Sequence, residues 1–147
     1  ADALGLDAAR QRVSILGTDI SAPVIAAAES GTFVEGKLEK VPPIALQSYF
    51  RAAEPGEFAV VDAIKSMCTF RRLNLKVRPW PFRRPFDVVL CRNVLYYFNR
   101  ADQQATLEAI YDATAPGGWL LTSVTETVRD LRTRWEQVAP GAYRRCS

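Results

Sequence analysis

The sequence predicts an α/β domain with a largely parallel sheet, and three observations carry that prediction. Short apolar runs at Val13–Ile20 and Phe86–Cys91 read as buried parallel strands, which are covered on both faces and so lose the polar alternation of a half-exposed strand. A stretch with helical signals comes after each, Ser21 capping one through Ala28 and Asn99 capping one from Arg100 to Thr114. Gly and Pro clusters at Gly31, Pro42–Pro43, Pro55–Gly56 and Pro116–Gly118 punctuate the chain, with no internal repeat and no low-complexity linker.

Taken in order, the first strand ends in Gly17, Thr18 and Asp19, as a buried strand does when it leaves a sheet. Pro23 sits in the first turn of the following helix, where its missing N–H costs nothing. Residues 32–45 read as loop, and Leu46–Ala53 as a short helix stopped by Pro55–Gly56. Phe58–Val61 and Met67–Phe70, the latter running on toward Leu75, read as two strands joined by a short turn or helical link. Pro79, Pro81 and Pro85 make a stiff connection to the Phe86–Cys91 strand. In the next helix Leu107, Ile110 and Tyr111 fall on one core-facing stripe. Pro116–Gly118 should end that helix and Trp119–Val124 should be the next strand. An Arg-rich stretch from Glu126 to Val138 reads as partly helical, and Tyr143–Cys146 as a last edge strand.

The 147 residues amount to a single domain, 1–147, of ordinary globular composition at 48% hydrophobic and 24% charged. No apolar run is long enough to cross a membrane and no signal-peptide pattern opens the chain, so a soluble cytoplasmic protein is expected. Cys68, Cys91 and Cys146 are odd in number and widely spaced, which offers neither a disulfide framework nor a metal site. There is no histidine, which removes Ser-His-Asp and Cys-His nucleophiles, His-ligated zinc and His general bases together. Charge is uneven. Residues 1–62 carry nine acids and five bases, residues 63–147 seven acids and fourteen bases. Arg71, Arg72, Lys76, Arg78, Arg83 and Arg84 fall in a stretch without an acid, which reads either as a solvated face or as an attraction for an acidic protein or a nucleic acid.

Ligands of open α/β sheets sit beyond the carboxyl ends of the strands, which singles out Asp19, Asn74–Leu75, Arg92–Asn93 and Thr125–Glu126. A carboxylate at a strand end can accept both hydroxyls of a ribose, and it can equally cap a helix or a turn; Asp19 allows both readings. The string Phe86-Asp-Val-Val-Leu-Cys-Arg-Asn-Val-Leu-Tyr-Tyr-Phe98 closely resembles the Cys-Arg-Asn-Val-Leu-Ile-Tyr-Phe signature of the CheR-type chemotaxis receptor methyltransferases, S-adenosylmethionine-dependent protein-glutamate methyltransferases. Gly17-Thr-Asp-Ile-Ser21, Ala28-x-x-Gly31-x-Phe33, Tyr49-Phe50, Phe70-x-x-x-Asn74-Leu75 and Pro116-Gly-Gly118 follow in the family's order, so that the resemblance spans about residues 13–126.

The resemblance implies a class I methyltransferase, Rossmann-like, mostly parallel sheet. It implies S-adenosylmethionine as cofactor, with S-adenosylhomocysteine as product and no metal. Asp19 would hold the cofactor's ribose, Asn74 and Leu75 would border its adenine, and Arg92 and Asn93 would line its methionine end. Tyr97 would stand near the methyl group and the acceptor as the catalytic residue; read from the residues alone, it is a core aromatic beside Tyr96 and Phe98. The partner would be a glutamate-rich helical segment of a chemoreceptor-like protein, with no nucleic acid and no direct insertion in a membrane. A carboxylate acceptor is already ionised at neutral pH, so methyl transfer needs no general base, in keeping with the absence of histidine.

The sequence departs from the family pattern in three places. The turn after the fifth family strand reads Ser123-Val-Thr-Glu126 in place of Gly-x-Ser-Glu, keeping only the glutamate, and Tyr96 replaces an isoleucine in what reads as a packed segment. The family's helical domain and first strand, with its cofactor loop and an arginine near the reaction centre, have no counterpart before Val13. The expectation is therefore a fragment that binds the cofactor weakly or not at all, with the strands at 13–20 and 86–91 deprived of their shared neighbour. A non-catalytic module that senses cofactor or docks a partner is the alternative. A nucleic acid methyltransferase ranks below both, because the Asp/Asn-Pro-Pro-aromatic motif is absent.

Overall fold

A short helix, α1 (Leu6–Arg12), opens the chain in the computed structural model, which describes residues 3–124, 126 and 131–146. The chain divides into two compact units, Ala1–Asn74 and Leu75–Ser147.

In the first unit β1 (Ile15–Asp19) runs parallel to β5 (Cys68–Arg72), with Ile15 opposite Cys68 and Asp19 opposite Arg72. Gly17 is required here: a Cβ would stand 2.6 Å from the Phe70 ring, so the glycine lets strand and aromatic meet. Helix α2 (Ala22–Ser30) packs on this pair, with Ser21 Oγ accepting from the Val24 N–H and Gly31 closing the helix at φ 63°. Strand, aspartate and helix thus stand as the sequence predicts. The short link between the two later strands is also helical, α4 (Asp62–Lys65).

Residues 32–53 differ from the expected loop and helix. They hold β2 (Thr32–Val34), a short 3-10 turn (Glu35–Lys37), α3 (Pro43–Tyr49) and β3 (Phe50–Ala52). β4 (Glu57–Val60) lies between β2 and β3, antiparallel to both, in a three-stranded sheet of order β2-β4-β3. Local signals mislead because three-residue strands are too short to show alternation, and what holds them is cross-strand pairing such as the edge-to-face Phe33–Phe50 contact.

The second unit is a four-stranded sheet of order β6-β7-β9-β8, formed by β6 (Phe86–Leu90), β7 (Thr114–Leu121), β9 (Ala142–Arg145) and β8 (Trp135–Ala139). β6 and β7 are parallel; β9 is antiparallel to both of its neighbours. Helix α5 (Arg100–Ala113) is capped by Asn99, whose Oδ1 accepts from the Asp102 N–H at 2.8 Å. Its Leu107, Ile110 and Tyr111 are buried with Leu120, Trp135 and Tyr143 in the core. Pro116–Gly118 stop no helix: they lie inside β7, where Gly118 leaves no room for a Cβ and the pairing with β6 shifts register. The segment expected to be partly helical after Glu126 instead holds β8, with residues 125 and 127–130 outside the described residues. β9 is not an edge strand but sits between β7 and β8.

Among the described residues β1 pairs only with β5 and β6 only with β7. With a single neighbour each, these strands are less buried than parallel strands of a sheet interior, and Ile15, Val88 and Leu90 stay largely exposed, contrary to the expectation of burial. No described helix is long and apolar enough to cross a membrane.

Candidate functional site

The carboxyl ends of the parallel strands carry the sequence-predicted residues in both units. In the first unit Asp19 ends β1, and its carbonyl accepts from the Leu73 N–H at 2.9 Å, which brings Asn74 to the same end of the β1–β5 ladder. Asp19 Oδ1 accepts from the Ser21 N–H at 2.7 Å. The turn reading of Asp19 is therefore real, yet a carboxylate has about four acceptor sites and this bond uses one. Arg72 Nε donates to the Ile20 carbonyl at 2.8 Å and fixes the backbone just beyond Asp19.

In the second unit Leu75 opens the chain segment, and Arg92, Asn93 and Tyr97 follow β6. Asn93 has φ 60°, a left-handed conformation that few residues other than glycine and asparagine adopt readily. That conformation turns successive backbone N–H groups toward one point, as in the anion-binding nests of turns. The anion belongs to the protein itself. Glu126 Oε2 accepts from the Asn93 N–H at 2.8 Å and the Ser123 N–H at 3.1 Å, and Oε1 accepts from Val94 and Leu95 at 2.8 and 2.9 Å. Ser123 Oγ also donates to Asn93 Oδ1 at 2.5 Å.

Glu126 is 6% exposed. Burial alone would push its carboxyl up, but the four backbone N–H groups from Asn93, Ser123, Val94 and Leu95 outweigh it and hold the group below the usual carboxylate value. The same charge, after burial itself, helps raise the neighbouring Cys91 thiol to about 11, so Cys91 is an inert core group. On the other side of the loop Gln103 Nε2 donates to the carbonyls of Leu95 and Phe98 at 2.9 and 3.1 Å. The loop after β6 is therefore clamped twice, its N–H groups by Glu126 and its carbonyls by Gln103.

The sequence left Glu126 without a role and did not single out Gln103. A signal for the glutamate was present: a lone acid just past the strand that pairs with β6 is well placed to reach the loop after β6. The expectation that Tyr97 packs as a core aromatic is not met, since it is 74% exposed, and its hydroxyl accepts from the Tyr96 hydroxyl at 3.2 Å. Tyr96 is also exposed, so the larger side chain needs no accommodation in a packed segment. Thr125 lies outside the described residues. No group of metal-ligating side chains occurs among the described residues.

Residues 2–143 match a family described as CheR methyltransferase, SAM binding domain. The chain is 36% identical to chemotaxis protein methyltransferase 1 of Pseudomonas aeruginosa over 132 residues, covering 88% of this chain and 48% of that protein. It is 29% identical to the chemotaxis protein methyltransferase of Borreliella burgdorferi over 134 residues, covering 91% and 47%. Against the chemotaxis protein methyltransferase of Vibrio parahaemolyticus it is 32% identical over 127 residues, covering 86% and 46%. The chain thus spans about half the length of the curated relatives it matches.

Proposed function

This chain belongs to the CheR methyltransferase family through its SAM-binding domain, and on that footing we propose that it is the cofactor-binding part of a cytoplasmic enzyme that methylates glutamate carboxylates on chemoreceptor-like proteins. Its two units act as one methyltransferase domain. S-adenosylmethionine is the cofactor of the family's domain, and when bound it supplies an electrophilic methyl group on a sulfonium.

The observation that carries the reading is the loop of residues 92–98, where the family signature coincides with a backbone clamped by Glu126 and Gln103. The residues present fit the cofactor. Asp19 keeps acceptor sites beyond its bond to Ser21, which is what two ribose hydroxyls require. Asn74 and Leu75 border the adenine, and Arg92 and Asn93 line the methionine end. Tyr97, exposed and therefore able to touch a substrate, shapes the acceptor side. An acceptor carboxylate is ionised at neutral pH, so these residues contribute alignment rather than proton transfer. The acceptor is taken to be a glutamate-rich helical segment, in keeping with the excess of basic residues over 63–147. The non-catalytic alternative rests on the altered turn at Ser123–Glu126; because Glu126 still anchors residues 93–95, the catalytic reading is preferred.

The test compares this chain with a chimaera in which the N-terminal half of the Pseudomonas aeruginosa relative precedes it. S-adenosylhomocysteine is titrated calorimetrically into both, and methyl transfer to a glutamate-rich receptor peptide is measured. Cofactor binding and transfer by the chimaera, both weakened by Asp19→Asn, are the expected results. A chimaera that binds the product but transfers no methyl group supports the non-catalytic module instead.

A further inference from the structure

The second unit holds a cavity of about 620 Å³ at the end of the sheet opposite the candidate cofactor loop. Pro85, just before β6, and Thr114 and Pro116, at the start of β7, line it, together with the last turn of α5. Asn93 and Glu126 lie past the far ends of these strands. A five-residue strand puts roughly 15 Å between the two places. The volume falls in the range of small-ligand and peptide pockets, about 300–1,000 Å³.

Arg78, Arg83, Arg84 and Arg145 surround this cavity. None of the four forms an ion pair among the described residues, in contrast to Arg71 with Glu29, Lys76 with Asp102 and Arg134 with Glu108 and Asp112. Among the described residues Asp112 is the one acid lining the cavity, and Arg134 already holds it at 2.6 Å. Two of the arginines are positioned by neutral acceptors. Arg78 donates to Thr106 Oγ1 at 2.8 Å, and Arg145 to the carbonyls of Tyr111 and Thr114. Neutral acceptors orient a guanidinium without cancelling its charge, so the cavity concentrates positive potential, and the acid that lines it is already paired outside the four. The indole N–H of Trp80, another lining residue, is buried and has no hydrogen-bond partner among the described residues, a donor that costs free energy until an acceptor reaches it.

We propose that this cavity is a docking site for an acidic, glutamate-rich peptide segment of a partner protein, separate from the cofactor end of the sheet. Guanidinium forks pair with carboxylates in bidentate fashion. The remaining wall, Trp80 and Phe82 with three prolines, favours a ligand whose charges come with aliphatic surface, as the two methylenes of glutamate provide and a phosphodiester does not. The site does not depend on the methyl-transfer reading, because none of its residues belongs to the proposed cofactor contacts.

The probe is a fluorescein-labelled octaglutamate peptide, titrated into this chain by anisotropy at low and at physiological salt. S-adenosylhomocysteine titrations of the chimaera run in parallel. The expected result is saturable binding that weakens with salt, falls at least tenfold in Arg83→Glu/Arg84→Glu, falls severalfold in Trp80→Phe, and is unchanged in Asp19→Asn. Arg83 and Arg84 are exposed, so their replacement leaves the thermal midpoint in place. Peptide affinity within twofold of wild type in the double variant overturns the proposal, as does an absence of binding to the wild-type chain. Displacement of the peptide by ATP or a short oligonucleotide at tenfold lower concentration overturns the assignment to an acidic peptide. A chimaera that binds the peptide but not S-adenosylhomocysteine would count against the methyltransferase reading alone.

Discussion

Replacing Glu126 by glutamine removes one oxygen from a carboxylate that accepts four backbone N–H groups, two on each oxygen. Whichever way the amide is turned, its NH₂ faces two N–H donors, so two buried donors lose their acceptor. At about 1–3 kcal/mol for each donor left unpaired, the loss is about 3 kcal/mol, and Glu126→Ala, which strands all four, loses more. For a chain of this size that corresponds to a fall of about 9 °C in Tm. The sign of the pH dependence is fixed by the direction of the shift. The Glu126 carboxyl is held below its ordinary value, so its stabilisation is present above the unfolded pKa of about 4.3 and is lost as pH falls through the lower folded value. Thermal unfolding followed by circular dichroism from pH 3 to pH 7 should give a wild-type advantage that is constant above about pH 5 and shrinks below pH 4. Equal midpoints at pH 7, or an advantage that does not change on acidification, would refute the clamp.

Asp19→Asn should weaken S-adenosylhomocysteine binding at least tenfold in the chimaera while moving the thermal midpoint little, because the one hydrogen bond of its side chain among the described residues is a turn contact; calorimetric titration and melting check both halves. Tyr97→Phe should lower the rate of methyl transfer with little change in product affinity, and Tyr97→Ala should leave stability near wild type, since the side chain is exposed. Thiol labelling at pH 8 followed by mass spectrometry should modify the exposed Cys146 and leave Cys91 untouched until the chain is unfolded. Burial, and secondarily the Glu126 charge, keeps the Cys91 thiol protonated at about 11.

Those residues were legible in the sequence to different degrees, and the reason is the range over which each signal acts. Ser21 and Asn99 were readable as helix caps because a cap is satisfied within three residues of its own position. Asp19 and the 92–98 loop were readable from where apolar runs end. The β2-β4-β3 sheet was not, because Thr32–Val34 and Phe50–Ala52 owe their extended form to partners 23 to 27 and 6 to 10 residues away rather than to their own pattern. Pro116–Gly118 carried every sign of a stop and yet lie in β7, where the Gly118 backbone approaches the Asp87 carbonyl closely enough to exclude a side chain. Glu126 acts over 30 residues of separation, beyond anything periodicity can report.

The clamp also bears on what the candidate site can bind. Left-handed turns with successive inward N–H groups ordinarily invite anions such as phosphate. Here Glu126 has filled that position, so the N–H groups of residues 93–95 are no longer available to an anionic ligand, and a buried negative charge stands behind the loop. Beside the Arg92 guanidinium, what remains for a ligand at this strand end is acceptor chemistry: the carbonyl oxygens that Gln103 leaves free, side-chain oxygens and the field of a carboxylate. Such a surface suits a positively charged group better than a phosphate. A sulfonium cofactor, whose sulfonium and ammonium outweigh its one carboxylate, carries that net charge, whereas a dinucleotide bound at a comparable strand end presents a pyrophosphate to free N–H groups. In this reading Glu126 does two things with one carboxylate: it fixes the backbone of the loop after β6 and withholds that loop's N–H groups from an anionic ligand.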